Sequence, residues 1–129
     1  MSITHYINTD LDIYSSQDLS AIGDYLEELC CVLQCGWVDD RFHLCLESNS
    51  DRAELNEHIS QLLAVIESLP VDRLAILKAS QVFDFNIGIE TNQCWAKNFR
   101  ITPANLNRIA QLNASVSVTL YPYRQDSVD

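Results

Sequence analysis

Residues 7–13 read Ile-Asn-Thr-Asp-Leu-Asp-Ile, so that core-type and polar side chains alternate along the segment. A period of two is typical of a β-strand that has one face in a core and the other in water. Residues 42–47, 83–90 and 116–121 repeat this alternation. Strands that are covered on both faces have unbroken apolar runs instead. We therefore predict a sheet that carries its helices on one face only.

The segment after the first strand changes to a helical period. Residues 19–33 carry Leu, Ile and Cys side chains three and four positions apart, which predicts an amphipathic helix. Ser15, with Asp18 three residues later, is a variant of the capping box that begins such a helix. A turn is predicted at residues 38–41, and residues 35–38 are a candidate short hairpin arm beside the strand that follows.

Capping signals also place the later helices. A second helix is predicted to open at Ser50 or at the following residue, with Glu54 completing a capping box. Pro70 is well placed in the first turn of a short third helix. Thr102 as N-cap and Pro103 as first helical residue predict the start of a fourth. The element order is therefore β-α-(β)β-α-α-β-α-β.

This order predicts an α+β fold in one domain that spans residues 1–129. We expect a ferredoxin-like open-faced sandwich, that is, a mainly antiparallel sheet with helices on one face. Pro122 lacks a donor for the strand ladder, so the last strand should lie at an edge or come to its end there. Residues 124–129 have little to bury and are expected to form a loose tail.

Charge excludes several classes of partner. The chain has 18 acidic and 8 basic side chains and a net charge of -10 at pH 7. Repulsion from phosphates argues against a nucleic-acid partner and against an anionic membrane surface. Residues 1–57 carry twelve of the acids and only two of the bases. This asymmetry either keeps the protein soluble or marks an interaction face for a basic protein.

Cysteine usage indicates a reducing compartment. The five cysteines form an odd set without a C-x-x-C pair, and no signal peptide or membrane-spanning apolar run is apparent. We therefore expect a cytoplasmic protein with free thiols, no structural metal and no cofactor. Cys30, Cys31 and Cys35 are expected to be buried as small apolar residues. Cys94, in a polar loop, is expected to be the reactive thiol.

Several segments together resemble a known family. They are the strand at residues 85–90, the Ile-Thr-Pro-Ala-Asn-Leu helix start at 101–106, residues 110–112, the closing strand at 115–123, and the strand and helix at 37–48 and 57–63. Over residues 4–123 this set resembles the bacterial domain-of-unknown-function family 4279. The resemblance implies no established activity and supplies no catalytic residues.

Candidate binding residues gather on the polar face of the predicted sheet. If the strands are neighbours, one open side carries Asp10, Asp12, His43, Glu47, Asp84 and Glu90. Carboxylates beside an imidazole can bind a divalent cation or act as acid and base, although the outer face of a sheet also needs such residues for solubility. The sequence has no spaced metal-ligand motif, nucleophile motif or phosphate loop, so we assign no catalytic residue and no metal ligand.

Aromatic residues supply a second candidate surface. Four tyrosines are predicted on the polar side of the first and last strands: Tyr6, Tyr14, Tyr121 and Tyr123. Tyrosine is common at interfaces because it buries area and keeps a polar tip, but isolated exposed aromatics are also ordinary. Trp95, in the loop at residues 91–100, is either a further binding residue or a cover for the sheet edge.

The leading hypothesis is a non-enzymatic protein-binding module. Its acidic surface, which includes Asp39 and Asp40, would steer a basic protein partner, as an immunity protein or antitoxin does with a basic nuclease. One alternative is a metal-dependent or small-molecule-binding enzyme that uses the open polar face. Another is a homo-oligomeric structural domain, with a homodimer formed through that face.

Overall fold

The computed structural model describes residues 4–50, 53–92 and 96–122, and these contain five strands and four helices. In chain order the elements are β1 (His5–Ser15), α1 (Ser20–Leu26), β2 (Cys31–Val38), β3 (Arg41–Glu47), α2 (Leu55–Glu67), α3 (Val71–Lys78), β4 (Val82–Glu90), α4 (Pro103–Gln111) and β5 (Ser115–Tyr121). The predicted α+β order is confirmed. None of these helices is long and apolar enough to cross a membrane.

The five strands form one mixed sheet in the order β2-β3-β1-β4-β5. The three pairs β2–β3, β3–β1 and β1–β4 are antiparallel, whereas β4 and β5 are parallel. The parallel pair arises because α4 carries the chain back across the sheet, so that β5 runs in the direction of β4. β5 lies at an edge, as Pro122 predicted.

The hydrophobic core lies on one side of this sheet. All four helices contribute to a single cluster with the strands, which confirms that the described helices share one face. Its buried members include Leu11 and Ile13 of β1, Phe42 and Leu44 of β3, Phe85 and Ile87 of β4, and Ile59, Leu62, Leu63 and Ile66 of α2. The alternation in the sequence therefore reports the side of the sheet on which each residue lies.

The first helix is shorter than its pattern predicted. α1 ends at Leu26, and Leu33, which fits the helical stripe, belongs instead to β2. The candidate hairpin arm is thus a full strand that pairs with β3 from Cys31 to Val38, and the turn between them lies at Asp39 and Asp40. Pairing with β3 satisfies the backbone groups of a segment whose local pattern suits a helix equally well.

Two cysteines in this region also differ from expectation. Cys30 is buried, but Cys31 and Cys35 are exposed because β2 is an edge strand. All four cysteines that the structure describes are free thiols. Cys94 lies outside the described residues, as does the tail at residues 124–129.

The N-terminal signals of the later helices are partly confirmed. Thr102 caps α4 by accepting a hydrogen bond from the backbone N–H of Asn105, and Pro103 is its first residue. α2 begins at Leu55, later than predicted, because its capping box is formed by Glu54 and Glu57. In that box each side chain bonds the backbone N–H of the other residue, so the box fixes where the helix begins.

β5 is an edge strand whose apolar side is largely exposed. Val116, Val118 and Leu120 are 38%, 54% and 62% exposed, although the alternation predicted that Val116 and Val118 lie beneath the helices. α4 packs mainly against α2 rather than over β5. Asn105 of α4 is buried in that contact and donates to Asn56 and Ser60 of α2, while Leu106 is exposed.

Candidate functional site

The polar face of the sheet brings the predicted acidic residues together. In the central strand β1, Asp10 lies opposite Glu47 of β3, and Asp12 lies opposite Asp84 of β4. The alternation of β1 points both aspartates away from the helices. We call Asp10, Asp12, Glu47 and Asp84 the acidic lattice. These four carboxylates on three neighbouring strands are only partly buried, and all four described helices lie on the other face.

Asp10 and Glu47 form the first part of the acidic lattice. The Asn8 side-chain amide donates to Asp10 Oδ1 at 3.4 Å and also to Glu47 Oε2. The pKa of Asp10 is raised to about 6, first by burial, then by the hydrogen bond and the charge of Glu47, and last by the charge of Asp12. Two carboxylates that share one amide donor repel each other, so they favour a proton or a cation between them.

Asp12, His43 and Cys45 form the second polar group of this face. Asp12 lies opposite Cys45 across the β1–β3 pair, and His43 precedes Cys45 by two positions on β3. His43 Nε2 lies 3.0 Å from Asp12 Oδ1, and the ligand-type atoms of all three residues lie within 4.8 Å of one another. Burial and the neighbouring Asp12 carboxylate raise the pKa of the Cys45 thiol. Cys45 is itself buried.

Tyr14 fixes the orientation of the His43 ring. The two rings stack with centroids 4.3 Å apart and an interplanar angle of 3°. The Arg41 guanidinium lies 4.4 Å from the centre of the same Tyr14 ring, a cation–π contact. Tyr14 thus lies on the polar face as predicted, and it holds the imidazole in place rather than standing alone.

Asp84 connects the acidic lattice to the edge strand β5. Its carboxylate accepts hydrogen bonds from the Ser115 hydroxyl at 2.7 Å and from the Ser117 hydroxyl. Along the same pair of strands, Thr119 donates to Asn86 at 2.8 Å. The two serine hydroxyl groups hold the Asp84 carboxylate in a fixed position on the polar face.

The remaining predicted residues lie farther from the acidic lattice. Glu90 Oε1 lies 3.7 Å from His5 Nε2 at the other end of β1. The exposed Tyr121 lies opposite Glu90, and its ring edge approaches Gly88 on the polar face. Asp39 and Asp40 are exposed in the β2–β3 turn, where Asp39 has the left-handed φ of 56°. The structure therefore does not bring these residues into one cluster.

Two predicted residues, Trp95 and Tyr123, lie outside the described residues.

Tyr6 is on the opposite face from the one predicted. The pairing of β1 with β4 shifts by one residue between Tyr6 and Asn8, and this bulge turns Tyr6 toward the helices. The Tyr6 hydroxyl lies 2.6 Å from both Thr9 Oγ1 and His58 Nδ1. Burial raises the pKa of Tyr6 to about 12. A sequence gives no signal for such a bulge, because it depends on the partner strand.

His58 completes this buried network, which the sequence did not reveal. Its Nε2 lies 2.6 Å from the Ser50 carbonyl, and because a carbonyl only accepts, Nε2 is the donor. In the neutral ring, Nδ1 then accepts from the Tyr6 hydroxyl. The network ties β1 to α2 and to the segment before α2, which is a structural role.

A separate cleft of about 570 Å³ lies near the start of α2. Tyr6, Asn56, Lys97 and Arg100 are among the residues that line it. Lys97 and Arg100 outnumber its one acidic lining residue, Glu54, so the cleft is less negative than the acidic lattice.

Comparison with known proteins does not identify the chain. No family model, no curated protein and no solved structure matches it. The resemblance to family 4279 therefore stays a prediction.

Proposed function

We propose that this chain is a non-enzymatic protein-binding module whose acidic lattice receives a basic protein partner. One observation carries the proposal: Asp10, Asp12, Glu47 and Asp84 occupy neighbouring positions on the sheet face that bears none of the described helices. Clustered like charges attract cationic groups over several ångströms and accelerate association with them. Lysine and arginine side chains of a partner would also relieve the repulsion among the carboxylates.

A basic partner fits this face better than a second copy of the chain. In a symmetric dimer the same patch meets itself, so a dimer through the acidic lattice would bring carboxylates against carboxylates. The net charge of -10 adds to that repulsion. An immunity protein or antitoxin that neutralises a basic nuclease is one form that such a module would take.

We also infer that β1, α1, β2, β3, α2 and β4 form a ferredoxin-like core. The antiparallel order β2-β3-β1-β4 supports this inference, because it follows from a β-α-β-β-α-β chain. α4 and β5 then extend the sheet by one strand. In this arrangement the open face would be the natural docking surface.

The proposal is tested with variants that remove charge but keep shape. We would capture partners from the native host with the wild-type chain, with the double variant Glu47→Gln/Asp84→Asn, and with the control Glu27→Gln/Glu28→Gln. The control removes the same charge from exposed residues at the end of α1. We expect one basic protein to bind the wild type and the control, and to bind the lattice variant at least about 10-fold more weakly, as loss of contacts worth 1.4 kcal/mol would produce.

Equal weakening in the control and lattice variants would show that only net charge matters, and would refute the proposal. A partner that binds the lattice variant as tightly as the wild type would refute it as well.

A further inference from the structure

We propose that Asp12, His43 and Cys45 form a binding site for a single Zn²⁺ ion on the open face of the sheet. Cys45 Sγ, His43 Nε2 and an Asp12 carboxylate oxygen would be the three protein ligands. A water molecule or a donor group from a bound molecule would take the fourth position. This inference does not rest on the proposed protein partner.

The backbone pairing places the three ligands without help from any loop. Asp12 and Cys45 are directly opposite each other on adjacent central strands. His43 lies two positions from Cys45, so strand alternation puts both side chains on the same face. Sites held by paired strands are more rigid than sites on loops, because the strand register fixes their separation.

The distances suit a zinc ion after small side-chain rotations. Zinc binds nitrogen and oxygen at about 2.0–2.2 Å and sulfur at about 2.3 Å, so tetrahedral ligand atoms lie about 3.3–3.6 Å apart. His43 Nε2 and Asp12 Oδ1 are already 3.0 Å apart, and all three ligand atoms lie within 4.8 Å of one another. A closing movement of about an ångström by the sulfur or the carboxylate would complete the site.

The donor set selects the type of metal. A thiolate and an imidazole favour zinc and similar transition metals, whereas calcium and magnesium require oxygen ligands. On binding, the thiol of Cys45 gives its proton to the solvent and its sulfur binds the ion as thiolate. The carboxylate and thiolate together then balance the two positive charges of the ion. Three protein ligands leave the fourth position of a tetrahedral zinc ion open to water or to a donor group of a bound molecule.

The surroundings support the ligands in the way that zinc sites need. Tyr14 stacks on the His43 imidazole, which holds the ring in one orientation. Asp84 faces Asp12 from β4 and is itself fixed by the hydroxyl groups of Ser115 and Ser117. Its negative charge adds to the attraction for a cation.

The test uses the full chain without an affinity tag, reduced and freed of metal with a chelator that is then removed. Isothermal titration with Zn²⁺ should give one ion per chain. Titration with Co²⁺ should give the intense near-ultraviolet absorption of a cobalt–thiolate bond. Cys45→Ser should abolish that absorption and weaken zinc binding by more than about 100-fold, since even supporting residues of zinc sites change affinity by 10–100-fold.

Matched controls separate this site from the other thiols. Cys35→Ser changes an exposed cysteine that lies opposite Leu44 on the helix side of the sheet, and it should leave zinc affinity unchanged. His43→Gln alters a partly exposed ligand, so it tests the site even where Cys45→Ser disturbs folding. It should likewise weaken Zn²⁺ binding by more than about 100-fold.

The proposal is overturned if His43→Gln binds Zn²⁺ as tightly as the wild type, or if Cys35→Ser removes the cobalt–thiolate absorption. Absence of one-to-one binding by the wild type would overturn it too. The partner experiment changes Glu47 and Asp84, neither of which is a proposed zinc ligand, so failure of one proposal can be distinguished from failure of the other.

Discussion

Asp10→Asn is expected to stabilise the protein at neutral pH. In the folded chain the pKa of Asp10 rises from its ordinary value of 3.8 to about 6, first because the carboxyl is partly buried and then because Glu47 bonds and repels it. At pH 7 folding therefore places a charge where the fold disfavours one. Asparagine has nearly the same shape, keeps a side-chain oxygen for the Asn8 amide, and removes that charge.

The size of the effect follows from the difference in pKa. A pKa difference of about 2 between the folded and the unfolded chain corresponds to about 3 kcal/mol in the free energy of unfolding. The carboxyl is only half-buried, and water screens such groups strongly, so we expect a gain of about 1 kcal/mol.

The free energy of unfolding should also depend on pH, and the raised pKa of Asp10 determines the direction of that dependence. Well below pH 3.8 the carboxyl is protonated in both states, and it contributes no difference. Between about pH 4 and pH 6 the folded chain keeps a proton that the unfolded chain has lost, so the wild type loses stability as pH rises. Above pH 6 the loss is complete and constant.

Urea unfolding at about pH 3 and at pH 7 measures both quantities. Asp10→Asn should match the wild type at about pH 3 and exceed it by about 1 kcal/mol at pH 7. Glu28→Gln is the control, because it removes one exposed charge outside the sheet. If Asp10→Asn is destabilising at pH 7, or if Glu28→Gln gives the same gain, the electrostatic explanation of the acidic lattice is wrong.

Other perturbations test the core, the buried network and the surface charge. Phe85→Ala should lower the free energy of unfolding by about 3–5 kcal/mol, since Phe85 is fully buried. Asn86→Ala should lower it by less than about 1 kcal/mol, since Asn86 faces outward. Similar losses for the two variants would contradict a one-sided sheet. Tyr6→Phe should lower the free energy of unfolding, measured with urea, by about 1–3 kcal/mol, because it leaves His58 Nδ1 without its partner. An unchanged free energy of unfolding would argue against the buried network. Asparagine at Asp39 and Asp40 should slow association with the native partner more than it speeds dissociation, and added salt should also slow association. Association rates measured by stopped flow that change with neither the substitutions nor the salt concentration would exclude electrostatic steering. Thiol titration of the unfolded, unreduced chain should count five free cysteines, and a count of three or one would reveal a disulfide.

The side of the sheet on which most residues lie could be predicted from the sequence. The alternation around Asp10 and Asp12 assigns both to the polar face, and the structure places them there beside Glu47 and Asp84. Local chemistry likewise fixes the start of α4, because Thr102 and Pro103 act within a single turn of helix. Such features depend only on residues that are neighbours along the chain.

The candidate zinc ligands show where prediction from sequence stops. His43 and Cys45 are only two positions apart in the sequence, but Asp12 lies more than thirty positions before His43. Only the register of β1 on β3 brings Asp12 opposite Cys45. A sequence search for closely spaced ligands therefore finds no motif here.

Tertiary contacts decided the features that the sequence predicted wrongly. Leu33 fits a helix and a strand equally well, and pairing with β3 selects the strand. Tyr6 faces the helices because a bulge against β4 reverses its side. Val118 alternates like a core residue but is exposed, because α4 packs on α2 and leaves β5 uncovered. The sequence alone determined β1, β3, β4 and β5, the polar or apolar side of most of their residues, and the start of α4, since periodicity and capping are local. Register, bulges and helix coverage were decided only in the folded protein, since each depends on contacts between distant parts of the chain.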